Sequence, residues 1–154
     1  MSREVDWLVD TNIVIHVLRG SALGKHLVGA LQFRARKQDP LLSVVSQGEL
    51  FSFARHNRWG RSRLDRLEEL LNGVLIVDLH AAARAMHDKY AELDTFSRSQ
   101  GRKMGKNDLW IAASAATSNA ILLTTDADFD HLSPTHLRVW RFDQTAASWP
   151  SVPP

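Results

Sequence analysis

Four acidic residues stand at points of the sequence from which a parallel α/β fold would bring them to one place. They are Asp10, Glu49, Asp108 and Asp126. Two carboxylates about 4 Å apart repel each other by roughly 4 kcal/mol at an effective dielectric constant of 20, so four together require protons or a cation. The chain has no cysteine and no histidine pair at ligand spacing, so an all-oxygen site for Mg²⁺ or Mn²⁺ fits better than a zinc site.

Two of these acids follow short apolar runs. Residues 7–9 are apolar and end at Asp10, and residues 121–123 are apolar and lead through two threonines into Asp126. Short apolar runs bounded by polar turns are typical of buried strands. Each acid is therefore expected at the carboxyl end of a strand.

The other two acids are predicted to lie on helices. Glu49 falls early in a helix expected over residues 45–58, after a short strand over residues 41–43. Asp108 precedes a run of good helix formers, at the end of a helix where negative charge is favourable. In βαβ units the helix amino ends and strand carboxyl ends share one edge of the sheet, so all four carboxylates are expected at that edge.

The rest of the chain continues the alternation of strand and helix without an internal repeat. Further helices are predicted over residues 22–37, 62–72 and 80–99, with a break near Gly60, and further strands over 75–77 and 138–140. A length of 154 residues with 44% hydrophobic content predicts one domain with a substantial core. Residues 149–154, which include three prolines, are expected to be irregular.

Composition also limits the class of protein. The absence of cysteine excludes a disulfide framework and thiolate catalysis. Residues 1–6 are polar, and no later apolar run is long enough to span a bilayer. A cytoplasmic protein with no membrane partner is therefore expected.

Each acid also has an ordinary structural explanation. Asp10 and Asp108 could cap helices, Glu49 could be a solvated helix residue, and Asp126 could belong to an acidic turn. What these separate roles leave unexplained is why four elements should each deliver an acid to one edge of the sheet.

In their order and spacing, four segments resemble the PIN-domain ribonucleases, and within them the VapC-type toxins of bacterial toxin–antitoxin pairs. The segments are Leu8-Val9-Asp10-Thr11-Asn12-Ile13, Ser43 followed by Glu49-Leu50, Asn107-Asp108-Leu109-Trp110-Ile111-Ala112-Ala113, and Leu123-Thr124-Thr125-Asp126-Ala127-Asp128-Phe129. The resemblance covers nearly the whole chain. It implies a single PIN domain over residues 1–154, with a three-layer α/β/α fold around a central, mostly parallel sheet.

The resemblance also implies roles for individual residues. The four acids would form the active site, with Asp10, Asp108 and Asp126 holding Mg²⁺ or Mn²⁺, the first two most directly. Asn12 and Thr125 would orient the carboxylates from the surrounding layer. Because the fourth acid varies in placement within the family, Asp128 competes with Asp126; we favour the latter because it lies nearer the strand end.

The implied activity is metal-dependent hydrolysis of RNA by an endoribonuclease that acts as a toxin. The implied partners are an RNA substrate, a cognate antitoxin and a second copy of the chain in a homodimer. An acidic cleft needs positive charge nearby to hold phosphates, and Arg102, Lys103 and Lys106 lie just before or at the start of the Asp108 helix. They could equally be a solvated basic loop.

A second basic cluster surrounds Trp59. Its members are Arg55, Arg58, Arg61, Arg63 and Arg66. Such a cluster could hold an RNA backbone, stack a base or contact a protein partner, and it could also be an exposed helical hairpin.

Two other classes of function remain open at this point. A haloacid-dehalogenase-like phosphatase also begins with a strand ending in Asp, but it needs a second Asp two residues later, where this chain has Asn12. A non-catalytic PIN-like module that binds RNA or protein is the other alternative, although all four acids are retained.

Overall fold

A five-stranded parallel sheet forms the centre of the molecule. The computed structural model describes residues 5–29, 39–80 and 82–153. In chain order the elements are β1 (Trp7–Val9), α1 (Thr11–Arg19), α2 (Ala22–Gly29), β2 (Leu41–Ser43), α3 (Val44–His56), α4 (Arg61–Asn72), β3 (Leu75–Val77), α5 (Ala83–Ser99), α6 (Lys106–Thr117), β4 (Ile121–Thr124), a 3₁₀ helix (Ala127–Leu132) and β5 (Arg138–Arg141). The strand order is β3-β2-β1-β4-β5, with every neighbouring pair parallel.

Strand β1 lies at the middle of the sheet and is buried on both faces. Leu8 packs into one hydrophobic cluster with α5 and α6, whereas Trp7 and Val9 pack into a second cluster with α1, α2, α3 and α4. Strand β4 follows the same alternation, with Leu122 facing the first cluster and Leu123 the second. Because helices cover both faces of the sheet, the architecture is the predicted three-layer α/β/α fold.

Some helix boundaries differ from the prediction for local reasons. Helix α3 ends at His56 instead of residue 58, because Arg58 has a left-handed φ of 51°. The predicted break before α4 is confirmed, since Gly60 precedes the first helical residue. Helix α2 is described over Ala22–Gly29, and the remainder of the predicted helix over 22–37 lies outside the described residues.

Helix α5 begins at Ala83, three residues later than expected. The backbone N–H of His80 donates a hydrogen bond of 2.9 Å to Asp78 Oδ1. This local turn competes with helix formation, as Asp side chains commonly do. The expected helix over 80–99 is therefore correct in position but shorter at its start.

Within the described part of the chain, no helix combines the length and apolar character needed to cross a membrane. Residues 149–153 contain no helix or strand. Trp149 nevertheless packs against the core and donates from Nε1 to the carbonyl oxygen of Asp143 at 2.7 Å.

Helices α1 and α2 approach each other closely at Gly24. A Cβ added there would collide with the carbonyl oxygen of His16 and lie 2.7 Å from its carbonyl carbon. Both atoms belong to the backbone of α1 and cannot rotate away. The contact therefore fixes how α2 packs on α1, the helix that begins directly after Asp10.

We expect Gly24→Ala to lower the free energy of unfolding by about 1–3 kcal/mol, because the two helices must separate to admit the methyl group. Gly48→Ala is the matched control, since it lies within α3 and its added Cβ would contact nothing within 4 Å. That control should raise stability by roughly 0.5–1 kcal/mol through helix propensity. Urea unfolding of both variants measures the difference, and equal effects would contradict the close packing.

Candidate active site

The carboxyl edge of the sheet collects the acids that the sequence singles out. Asp10 follows β1 directly, and Asp126 lies two residues beyond β4. Glu49 lies in the second turn of α3, and Asp108 lies in the first turn of α6. The structure therefore brings all four acids to one edge, and it adds Asp128 from the 3₁₀ helix.

Asp10 is a buried carboxylate, with only 4% of its surface exposed. Its Oδ2 accepts a hydrogen bond of 2.7 Å from Thr124 Oγ1, and its Oδ1 accepts one of 2.8 Å from the backbone N–H of Thr11. Burial raises the pKa of Asp10 to about 6; the two hydrogen bonds oppose this rise, and the charges of Glu49 and Asp126 add to it. These surroundings therefore disfavour the ionised form of Asp10, and a bound cation would remove this cost.

Asp108 is the third residue of α6 and does not cap it, because the N-cap position is Gly105. The helix-cap explanation for this residue is therefore wrong. Burial is the largest cause that raises the pKa of Asp108 to about 6, followed by the negative charge of Asp10 and then by the other acids of the edge. Two acids of this edge, Asp10 and Asp108, thus have raised pKa values.

Asp108, Asp126 and Asp128 form the tightest group of possible ligands among the described residues. One carboxylate oxygen from each lies within 4.8 Å of the other two. Oxygens bound to one Mg²⁺ at 2.0–2.1 Å lie at most about 4.2 Å apart, so small side-chain movements would bring these atoms to one ion. The oxygen-only donors and their spacing fit Mg²⁺ or Mn²⁺.

Asp126 also stabilises the turn that follows β4, as expected for a residue of an acidic turn. Its Oδ1 accepts a hydrogen bond of 2.8 Å from the backbone N–H of Asp128 and so caps the 3₁₀ helix. Both acids consequently face Asp108, one partly buried and one exposed. The choice between them as the fourth acid of the site stays a prediction.

Two hydrogen bonds hold Glu49, which is not a member of the group formed by Asp108, Asp126 and Asp128. Its Oε1 accepts a hydrogen bond of 2.7 Å from Thr11 Oγ1, and its Oε2 accepts one of 3.3 Å from Asn107 Nδ2. Sequence reasoning missed the roles of Thr11 and Asn107. The available signal was their position, since each directly adjoins an acid of the site in the sequence.

The residues expected to orient the carboxylates bind each other. Asn12 Oδ1 accepts a hydrogen bond of 3.3 Å from the backbone N–H of Thr125, which ties the start of α1 to the end of β4. The neighbouring Thr124 contacts the acids, because its hydroxyl donates to Asp10 and accepts from the backbone N–H of Asp126 at 3.0 Å. The sequence reasoning missed Thr124, whose side chain is fully buried at the end of β4.

The three basic residues chosen from the sequence lie just before α6 or at its start. Arg102, Lys103 and Lys106 are exposed and form no ion pair within the described residues. Arg98, one helical turn earlier, differs because it pairs with Asp94 at 3.0 Å. Exposed cations without an ion-pair partner are available to bind a polyanion.

An open groove of about 640 Å³ leads away from Glu49 along α3. Its lining residues are Val45, Gly48, Glu49, Ser52, Phe53, His56 and Asn107. Asn107, one of the two side chains that hold Glu49, therefore also faces this groove.

Asp108→Asn tests the electrostatic strain. The raised pKa in the fold means that ionised Asp108 destabilises the protein above about pH 6, and this cost fades as pH falls towards the ordinary value for Asp. In EDTA near neutral pH the variant should be more stable by about 1 kcal/mol after allowance for solvent screening, and it should lose the stabilisation that Mn²⁺ gives the wild type. Thermal unfolding with and without Mn²⁺ measures both effects, and a destabilised variant in EDTA would contradict this account.

Thr124→Val removes the hydroxyl while keeping the shape of the side chain. We expect the pKa of Asp10 to rise further, stability to fall by about 1–3 kcal/mol and Mn²⁺ affinity to fall about tenfold, because a buried carboxylate loses its donor. Thr124→Ser is the control, since it retains the hydroxyl. An NMR titration of the Asp10 carboxyl compares the two, and identical titrations would show that the hydrogen bond does not tune Asp10.

Comparison with known proteins agrees with the geometry. The PIN domain family model matches residues 7–133, which contain all five acids of the edge. Ribonuclease VapC1 of Haemophilus influenzae is 24% identical over 135 residues, which cover 87% of this chain and 97% of the relative.

Solved structures show the same fold. VapBC2 from Rickettsia felis, bound to a DNA fragment from its promoter, has a TM-score of 0.72 at 22% identity, covering 89% of this chain and 98% of that one. A toxin-antitoxin complex from Klebsiella pneumoniae has a TM-score of 0.64 at 19% identity, covering 83% and 93%. No feature of these matches supports the phosphatase alternative. The match of the PIN domain model to residues 7–133 shows that the chain belongs to the PIN domain family.

Proposed function

We propose that this chain is a Mg²⁺-dependent endoribonuclease and the toxin of a toxin–antitoxin pair. The observation that carries the proposal is the convergence of five carboxylates on one sheet edge, two of them with pKa values raised to about 6. Such a cluster is costly to the fold unless it binds a cation. The family membership and the curated relatives named ribonuclease VapC support RNA hydrolysis as the use of that cation.

The residues that would hold the metal are Asp10, Asp108 and Asp126, with Asp128 as the competitor for the last position. A bound Mg²⁺ supplies a water of lowered pKa and offsets negative charge on the phosphoryl oxygens. Asp10 is the most rigid of these ligands, because both of its oxygens already accept hydrogen bonds. Mn²⁺ fits the same oxygen donors.

Glu49 is placed to accept a proton from the attacking water. Thr11 and Asn107 hold its two oxygens in fixed directions, and the side chain borders the open groove. Of the two hydrogen bonds, the one from Asn107 is longer at 3.3 Å, so Oε2 is the oxygen more available to a proton. A positioned carboxylate of this kind acts as a general base in hydrolysis.

Phosphates on either side of the scissile bond would bind Arg102, Lys103 and Lys106. These cations are exposed and lie just before or at the start of α6, the helix that carries Asp108. They would attract the RNA backbone without reading its sequence. Asn12 and Thr125 would act indirectly, by fixing the start of α1 against the end of β4.

A cognate antitoxin, a homodimer and a cytoplasmic site of action belong to the same proposal. The antitoxin is supported by the solved relatives of this chain that are VapBC and toxin-antitoxin complexes. A protein bound over the groove beside Glu49 would block access of RNA to the acids. Inhibition by an antitoxin would then need no change in the catalytic residues.

Cleavage of total cellular RNA by the purified chain tests the function. With Mg²⁺ or Mn²⁺ we expect discrete fragments, which EDTA abolishes. Asp10→Asn and Asp108→Asn should lower the rate by more than the roughly 10–100-fold that loss of an outer hydrogen-bond partner costs, because each removes a metal ligand.

The matched control is Asp65→Asn, which removes an exposed acid that pairs with Arg61 on α4, a helix that carries none of the site acids. It should cleave like the wild type. Equal cleavage by all three variants would refute the assigned site, and metal-independent binding of RNA without cleavage would favour a non-catalytic module.

A further inference from the structure

A second cavity lies between the end of α1 and the hairpin of α3 and α4. It encloses about 270 Å³. Its lining residues are Leu18, Arg19, Asn57, Trp59, Arg63 and Arg66. Half of these residues are arginines and none is an acid, so the cavity suits an anionic group.

The three arginines differ in how they are held. Arg66 donates from Nη2 to the carbonyl oxygen of Leu18 at 2.7 Å, which fixes its guanidinium at the carboxyl end of α1. Arg19 lies over the ring of Phe53, with its guanidinium carbon 5.3 Å from the ring centre. These contacts leave nitrogen donors of both guanidinium groups free to bind a ligand.

No acid in the described residues neutralises Arg19 or Arg63. By contrast Arg61, which is on the same helix as Arg63 but does not line the cavity, pairs with Asp65 at 3.3 Å. Guanidinium groups bind phosphate oxygens through two parallel hydrogen bonds, which makes clustered arginines good phosphate sites. An unneutralised pair facing one cavity therefore calls for an anion from outside the chain.

Phe53 lies between this cavity and the groove that borders Glu49. It lines the groove beside Glu49, and its ring contacts Trp59 edge-on, with the ring centres 5.7 Å apart. Glu49 and Asn57 are eight residues apart along α3, which corresponds to roughly 12 Å at 1.5 Å per residue. An extended strand leaving the acids along α3 would reach the arginines within a few nucleotides.

We propose that Arg19, Arg63 and Arg66 bind a backbone phosphate of the RNA strand, a few nucleotides from the bond that is cut. The inference rests on the proposed ribonuclease function and adds a subsite remote from the acids. RNA fits better than an acidic peptide because Glu49 lines the groove that adjoins the cavity across Phe53. An acidic peptide in that groove would meet repulsion from the carboxylates, whereas an RNA strand brings the very phosphate on which they act.

The test compares Arg19→Ala/Arg63→Ala with the control Arg61→Ala/Arg84→Ala. The control removes the same charge from residues that pair with Asp65 and Asp88 and do not line the cavity. Arg66 is kept because its bond to Leu18 supports the fold. Thermal unfolding establishes that both variants are folded before binding is measured.

Binding of random-sequence oligoribonucleotides is measured in EDTA, which prevents metal-dependent cleavage, over a range of salt concentrations. For one phosphate contact on a single strand, the slope of log K against log salt should fall in magnitude by about 0.7 in the cavity variant. The control should change the slope by less than half of that. With Mg²⁺ the cavity variant should show a raised KM and a nearly unchanged kcat, since the lost contact is remote from the reacting atoms.

Equal slopes and equal KM values for the two double variants, with a wild type that cleaves RNA, would refute the subsite while leaving the ribonuclease assignment intact. The same result, together with poly-glutamate binding that only the cavity variant loses, would assign the cavity to an acidic protein segment and also refute the proposal. A wild type that binds RNA with the expected dependence on Arg19 and Arg63 but cleaves none would support the subsite and count against the ribonuclease assignment.

Discussion

Repulsion among the carboxylates at the partly buried carboxyl edge of the sheet is the constraint on which this structure depends. Burial and the charges of neighbouring acids both raise the pKa of Asp10 and of Asp108. The ionised forms of these two acids are therefore unfavourable in the folded chain. The opposing interactions are few and specific. Thr124 and the backbone of Thr11 stabilise Asp10, and Thr11 and Asn107 fix Glu49. A rigid surrounding is therefore needed to keep the acids together.

The central strands provide that rigidity. Strands β1 and β4 are buried on both faces and pair in parallel register from Trp7 opposite Ile121 to Val9 opposite Leu123. The ladder continues past the strand, because the backbone N–H of Asp10 donates to the carbonyl oxygen of Leu123 at 2.9 Å. The backbone carrying Asp10 and Thr124 is consequently fixed by the same hydrogen bonds that form the sheet, and only the side chains need further support.

The sequence predicts the acids and their edge well, because both follow from local pattern. A short apolar run that ends in Asp specifies a strand and the position of its acid, as at Asp10. The partners of the acids could not be predicted in this way, since whether Thr124 or Thr125 faces Asp10 depends on strand register and on the neighbouring strand. The sequence does not predict the late start of α5. That start depends on the hydrogen bond that the backbone N–H of His80 donates to the side chain of Asp78, which competes with helix formation.

The arginine cavity illustrates the same limit at longer range. The cluster around Trp59 is visible in the sequence, but only Arg63 and Arg66 of its five arginines line the cavity. The third, Arg19, comes from the end of α1 and joins them only because α1 and α4 pack on the same face of the sheet. Tertiary packing thus selects which members of a charged run act together, and the run alone cannot show this.

Separation between the acids and the arginine cavity has a consequence for the size of the ligand. Arg19, Arg63 and Arg66 come from α1 and α4, whereas the acids lie at the carboxyl edge of the sheet and on α3 and α6. Asn57, which borders the cavity, lies roughly 12 Å from Glu49 along α3, and no ion pair among the described residues joins these arginines to the acids. The acids then keep their affinity for a cation and the arginines keep theirs for phosphate. Only a ligand long enough to span both, and carrying charge along its length, gains from the two sites together, which favours a nucleic acid strand over a small anion.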